Sequence, residues 1–166
     1  FGEYTQDHYK TREWLSGFTG SAGTLVVTLS SAALWTDSRY FVQAAQQLKG
    51  VQIKLMRIKM EGTPTIPQWI LQQYPQGEVV AIDMSLFSYS EYQALCRDLS
   101  PCKVLLTEDL FDGIWENRPP LRFNSIEGLG TEYTGETSKS KHQRVVDALG
   151  IGDRRFAYII TMCDEV

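Results

Sequence analysis

A chain of 166 residues, 43% hydrophobic and 22% charged, has room for one packed core, or for one and part of another, without disulfide or metal staples. Its formal net charge of −4, from 16 Lys and Arg against 20 Asp and Glu with no basic block, leaves no electrostatic footprint for nucleic acid. No apolar run reaches the ~18–20 residues a membrane-spanning helix requires.

From residue 5, TQDHYKTREWL reads as a short helix, with Asp7 as cap, a mixed face of Tyr9, Arg12, Glu13 and Trp14, and Gly17 as its stop. His8 and Trp14 are expected to pack on its surface. Residues 23–29, GTLVVTL, are a β-branched run and hence a strand. Ser30-Ser31 turns the chain, and residues 32–36 return as the second strand of a hairpin. A helix begins at Asp37 or Ser38, with Phe41, Ala44, Ala45 and Leu48 at helical spacing and Lys49-Gly50 closing it.

Residues 51–60 set Val51, Ile53 and Leu55 against Gln52, Lys54 and Arg57, a strand with one polar face. A turn at residues 62–65 leads into a short helix over 67–74, stopped by Pro75-Gln76-Gly77. Val79-Val80-Ala81-Ile82 is continuously apolar and reads as a buried parallel strand. Ser88 or Ser90 caps a helix through Tyr92, Leu95 and Leu99, which Pro101 breaks. Residues 103–106 are the next strand and 110–115 a short helix. The alternation predicts an α/β domain, a layered mixed sheet flanked by helices with an antiparallel hairpin at its front.

Residues 116–135 carry prolines and glycines without a period and read as a connector. Residues 136–149 are a helix with Val145, Val146 and Leu149 on one face, and 155–160, RFAYII, a strand. One helix and one strand bury no core. Residues 1–133 are therefore expected to be a first domain and 136–166 the truncated beginning of a second, similar one.

Chemistry is sparse. There are two histidines, His8 and His142, with no HExxH helix and no GxSxG elbow. The glycines at 17, 20 and 23 spell neither a dinucleotide fingerprint nor a P-loop and point to a tight turn with close packing. Asp164 and Glu165 have nothing nearby to complete a metal set. Cys96, Cys102 and Cys163 fit no zinc spacing, and scattered free thiols suit a reducing compartment. Phe1 opens on a polar stretch without a signal-peptide core, and a segment ahead of it is expected because the chain does not begin with Met. Arg39 is the local oddity, a cation in the first turn of its helix, where the macrodipole disfavours it by ~0.3–1 kcal/mol. Two readings stay open: a surface pair with Asp37 or a neighbouring Glu, or an arginine held to meet a carboxylate or carbonyl. Residue chemistry alone supplies no complete catalytic centre and would suit an interaction module.

Several blocks carry a family resemblance: Glu3-Tyr4, SGFTGSAGT at 16–24 and WTDSRYFVQA at 35–44. Downstream come GTPT at 62–65, Trp69, Ile82-Asp83, IWENRP at 114–119, Tyr133-Thr134-Gly135 ahead of a lysine-bearing helix, and ITMCDEV at 160–166. Together they resemble the N-terminal, creatinase/prolidase-type domain of the aminopeptidase P (Xaa-Pro aminopeptidase) family over essentially the whole chain, and most of all its long, three-domain cytosolic-type members.

The resemblance implies a ribonuclease H-like fold and a metalloaminopeptidase that releases the N-terminal residue from peptides with proline second. In that family the chemistry sits in a C-terminal pita-bread domain, where two manganese ions held by Asp, His and Glu carry a bridging hydroxide. No residue of this chain matches a metal ligand, so no catalytic residue and no cofactor are expected in it, and the chain alone is expected to be inactive. The N-terminal domain in such enzymes helps form the substrate entrance and the dimer. By position, Arg39, Asp37, Trp35 and Tyr40 are expected to face the active-site cleft as substrate-binding residues. The implied partners are peptides with proline second and a second copy in a homodimer, with no nucleic acid and no membrane, in the cytoplasm. The family's first helix and first strand, ahead of Glu3-Tyr4, are lacking, so the first sheet is expected to be a strand short. Residues 155–160 are expected to find a pairing partner on the first domain or on a second copy. A reading from another class is a catalytically inactive peptide- or protein-binding module, like the histone-chaperone branch of the superfamily. A related dipeptidase or creatinase is a third. The closeness of residues 35–41 to the peptidases favours the first.

Overall fold

The structure, a computed structural model, describes residues 5–122, 125 and 127–149. Two compact units divide the chain, one over Gln6–Pro120 and another holding Thr5 and the described residues from Leu121 onward.

In the first unit a 3-10 turn at Asp7–Tyr9 leads into α1 (Thr11–Ser16). Asp7 is not its cap; it lies inside that turn and pairs with Lys10 at 2.6 Å. Gly17 ends α1 as expected, at φ +71 with its N–H on Glu13 O, a left-handed conformation natural to glycine. The hairpin of β1 (Thr24–Val27) and β2 (Ala32–Thr36) runs in register from Thr24↔Trp35 to Val27↔Ala32. β1 is shorter than its apolar run because Thr28 is taken by the turn, its N–H donating to Ser31 O at 2.8 Å. A 3-10 turn at Ser38–Tyr40 and α2 (Phe41–Gln47) follow. β3 (Ile53–Arg57) then returns parallel to β2, giving a mixed sheet in the order β1-β2-β3.

The next stretch is α3 (Ile66–Gln73), β4 (Val79–Asp83), α4 (Tyr89–Asp98) and β5 (Lys103–Thr107). β4 and β5 pair in parallel as a separate two-stranded sheet, so the layer is divided where one sheet was expected. β1 and β3 of the first sheet and β4 and β5 of the second each keep one edge that takes no strand among the described residues.

Strand alternation sorts the core. Ala33, Trp35 and Met56 face Trp69 and Ile70 of α3, with Leu99 and Cys102 in the same cluster and Val80 and Val104 of the second sheet packed against it. Leu34 points the other way, onto Phe18, Ala44 of α2 and Leu48 at the C-cap of α2. Ala44 and Leu48 are one turn apart and share the packed face, whereas Ala45, expected with them, is turned outward and exposed. β4 also departs from expectation: Ile82 is buried, but Val79 is 58% exposed, because only the face carrying Val80 and Ile82 meets the core.

Residues 110–115 form turns instead of the expected helix. The Asp109 carboxylate takes the Phe111 N–H at 2.8 Å, and Gly113 sits at φ +78, which breaks helical continuation. This stretch closes on α1. Trp14 stacks on Trp115 with ring centroids 5.2 Å apart and meets Phe111 edge-on. His8 Nδ1 lies 2.7 Å from Pro119 O, and Arg118 donates to His8 O while pairing with Asp109 at 2.5 Å.

In the second unit the expected connector contains a four-residue helix, α5 (Thr131–Thr134), ended by Gly135 at φ +72. α6 (Ser138–Ala148) is capped by Thr137, and Glu136 receives both Ser140 and Arg144. The strand expected at 155–160, its pairing partner, and Cys163, Asp164 and Glu165 lie outside the described residues.

Candidate functional site

The polar corner starts where β2 ends. Thr36 is fully buried, and its hydroxyl donates to Ala22 O at 2.6 Å, tying the end of the strand to the glycine loop. Asp37 then leaves the sheet in an extended conformation and caps the following turn, accepting the Arg39 N–H at 3.0 Å. The Arg39 side chain folds back on the same carboxylate, with Nε 2.9 Å from Oδ1 and Nη2 2.8 Å from Oδ2. The cation at the helix start is therefore neutralised by its own cap. Hydrogen bonding from Arg39 holds the Asp37 carboxyl below the usual carboxylate range, and Asp37 in turn raises Arg39. The pair stands in solvent, with the Arg39 side chain 67% exposed.

Tyr40 is the platform beneath. Its ring lies 5.2 Å from the Arg39 guanidinium carbon and meets the buried Phe18 ring edge-on. Its hydroxyl is 2.6 Å from Ser21 Oγ. Asp37, Arg39 and Tyr40 are thus brought together at one surface. Trp35, expected with them, lies in the core instead: it is 3% exposed, packs edge-to-face on Trp69, and its indole N–H donates to Pro64 O at 2.8 Å.

Gly20 and Gly23 serve close packing, as expected, whereas Gly17 serves the turn and has open space beside it. A Cβ on Gly20 would meet the Phe18 ring and come within 2.8 Å of Tyr40 Cδ1, and one on Gly23 within 3.0 Å of Trp35 O. Arg12 had no role in the sequence beyond the mixed face of its helix. It reaches into this loop from α1, Nη1 donating to Gly23 O at 2.6 Å and Nη2 to Gly20 O. Burial lowers its pKa from the ordinary arginine value.

Two metal ions of the kind the resemblance implies find no ligand set here: among the described residues no three His, Cys, Asp or Glu side chains converge. No helix among them is long and apolar enough to cross a membrane.

Fold and corner together define a layered α/β domain that offers a charged surface corner backed by a tightly packed glycine loop. Residues 7–114 match the family described as the Creatinase/Prolidase N-terminal domain, and the chain belongs to that family. It is 38% identical over 168 residues to Xaa-Pro aminopeptidase ApepP of Drosophila melanogaster, covering 99% of this chain and 27% of the fly protein. It is 41% identical over 143 residues to Xaa-Pro aminopeptidase 2 of Mus musculus, covering 84% of this chain and 21% of the mouse protein. Among solved structures, the X-prolyl aminopeptidase of Caenorhabditis elegans, described as a cytosolic enzyme with a di-nuclear active site, aligns at a TM-score of 0.76 and 30% identity, over 90% of this chain and 25% of its own. The chain spans about a quarter of the length of these relatives.

Proposed function

We propose that this chain is the non-catalytic N-terminal domain of a manganese-dependent Xaa-Pro aminopeptidase, an enzyme that removes the N-terminal residue from peptides with proline second. The observation that carries this reading is the identity to the fly aminopeptidase along 99% of the chain within only 27% of that protein. The bulk of such an enzyme, two metal ions included, then belongs to sequence other than this. A cytoplasmic location and a homodimer complete the reading; the cytosolic description of the nematode relative supports the first.

The domain's own contribution is the corner at Asp37, Arg39 and Tyr40, turned to the substrate entrance, with Trp35 anchoring it from the core. Arg39 suits this. Its pair with Asp37 is exposed and solvent-screened, so exchanging part of it for a peptide carbonyl or carboxylate costs little. The planar guanidinium retains donors for that exchange. Arg39→Ala in the full-length enzyme is expected to lower kcat/KM for Xaa-Pro peptides by about tenfold, the scale of one lost charge-assisted hydrogen bond, with the far-UV circular dichroism unchanged. An unaltered kcat/KM would make the corner purely structural.

A further inference from the structure

The glycine loop between α1 and β1 is fastened by side chains. Ser16 Oγ accepts the Phe18 N–H at 3.1 Å, and Gln47 Oε1 the Thr19 N–H at 3.1 Å. Thr36 donates to Ala22 O, and Arg12 takes the carbonyls on either side of it, Gly20 and Gly23. Arg12 is the unusual member of this set. Its guanidinium carbon lies 5.4 Å from the Phe18 ring centroid, and its Nε is buried without a hydrogen-bond partner. Two carbonyls, not a carboxylate, receive its charge-assisted donors. A cation half withdrawn from water with an idle N–H costs free energy that a neutral donor would not, so its presence marks a loop held to tight tolerance.

What that loop holds is Tyr40. The phenol touches it twice, through the Phe18 ring and the Ser21 hydroxyl, and it enters the space a Cβ on Gly20 would fill. Tyr40 in turn lies under the Arg39 guanidinium. A contiguous chain of contacts therefore runs from Arg12 through Gly20 and the Phe18 ring to Tyr40 and Arg39, with the Gly23 carbonyl as its second tether.

We infer that Arg12 is a positioning residue for the peptide-binding corner, fixing the loop that seats Tyr40 and so setting how the intact enzyme engages its substrate. The inference rests on the corner being part of the substrate entrance, and its test separates the two. In the full-length enzyme, steady-state kinetics with the tripeptide Ala-Pro-Gly are compared for wild type, Arg12→Gln, Arg12→Lys, Tyr40→Phe, the Arg12→Gln/Tyr40→Phe double variant and Arg39→Ala. Arg12→Gln is expected to raise KM about tenfold with kcat within about twofold of wild type. Arg12→Lys keeps the charge but lacks the fork that spans both carbonyls, and should raise KM only about threefold. The double variant should be no worse than Arg12→Gln, because both changes act through one seat.

An unchanged KM in Arg12→Gln beside a raised KM in Arg39→Ala would overturn the inference and leave the corner's role standing. Unchanged KM in Arg12→Gln, Tyr40→Phe and Arg39→Ala alike would remove the role of the corner and the inference with it. Losses that multiply in the double variant would also overturn it, since Arg12 would then act elsewhere. If Arg12→Gln does not fold, Arg12→Lys decides: a raised KM supports the positioning role, and wild-type kinetics refute it.

Discussion

Gly20 shows how little room the corner leaves. The Phe18 ring is fully buried beside it, and a methyl group there must push Tyr40 or Phe18 aside. Overpacking of this kind costs about 1–3 kcal/mol. Gly20→Ala is expected to lower the unfolding free energy of the protein by that amount, read as a lower urea midpoint at an unaltered slope of the transition, and a midpoint within error of wild type would show that the rings yield freely. Such packing is visible in sequence as a cluster of glycines that matches no phosphate-binding pattern. Arg12 is not visible that way. Spacing does not say which carbonyls need a donor, and an arginine on a mixed helix face looks like any solvated one. Trp35 makes the complementary point: it adjoins Thr36 and Asp37 in sequence, but strand alternation sends its side chain to the face of Met56 and Trp69.

At the level of elements, the capping chemistry was readable only in part: Asp37 caps its turn as expected, whereas Asp7 is not the cap of α1 and the box at Thr65 was not identified. Thr65 and Gln68 form a reciprocal box at the start of α3, with Thr65 N donating to Gln68 Oε1 at 2.9 Å and Gln68 N to Thr65 Oγ1 at 3.3 Å. The T-x-x-Q pattern was there to place the helix start one residue ahead of Pro67. The matching box of Ser88 with Glu91 selects Ser88 over Ser90 as the cap of α4. Because α3 delivers Trp69 and Ile70 to the core, its cap bears on the whole unit. Thr65→Ala should destabilise the protein by about 1 kcal/mol in chemical denaturation, while Thr65→Ser should be close to neutral; equal losses would show that the hydroxyl bond is not what matters. Elements that departed from expectation did so for local reasons of another kind. Residues 110–115 have helical spacing but also an Asx turn at Asp109 and a left-handed Gly113. The β4 run is apolar enough for burial on both faces, yet periodicity cannot report whether a second layer covers it.

For the molecule as a whole, the α/β class followed from alternation, whereas the division into two sheets did not. Sheet continuity depends on pairing between an edge strand of the β1-β2-β3 sheet and one of the β4-β5 sheet, distant segments whose local patterns are indifferent to each other. On the proposed reading the function is likewise split by scale: the corner of this chain serves an enzyme whose metal site belongs to other sequence, and among the described residues no metal-ligating set converges. The chain by itself, supplied with Mn²⁺, is accordingly expected to release no amino acid from Ala-Pro-Gly under conditions where the full-length enzyme turns over. Measurable release would mean that the chemistry had been placed in the wrong part of the protein.

The contacts between α1 and residues 109–119 bring the two ends of the Gln6–Pro120 unit side by side. Entry and exit of the unit thus share one point of suspension. Tension applied through both ends would fall first on the bonds of His8 with Pro119 and Arg118, and next on the stacked indoles of Trp14 and Trp115, peeling them apart one after another. The β-ladders further in would carry load only once that latch had opened, so the unit has a mechanical fuse, and the corner lies behind it.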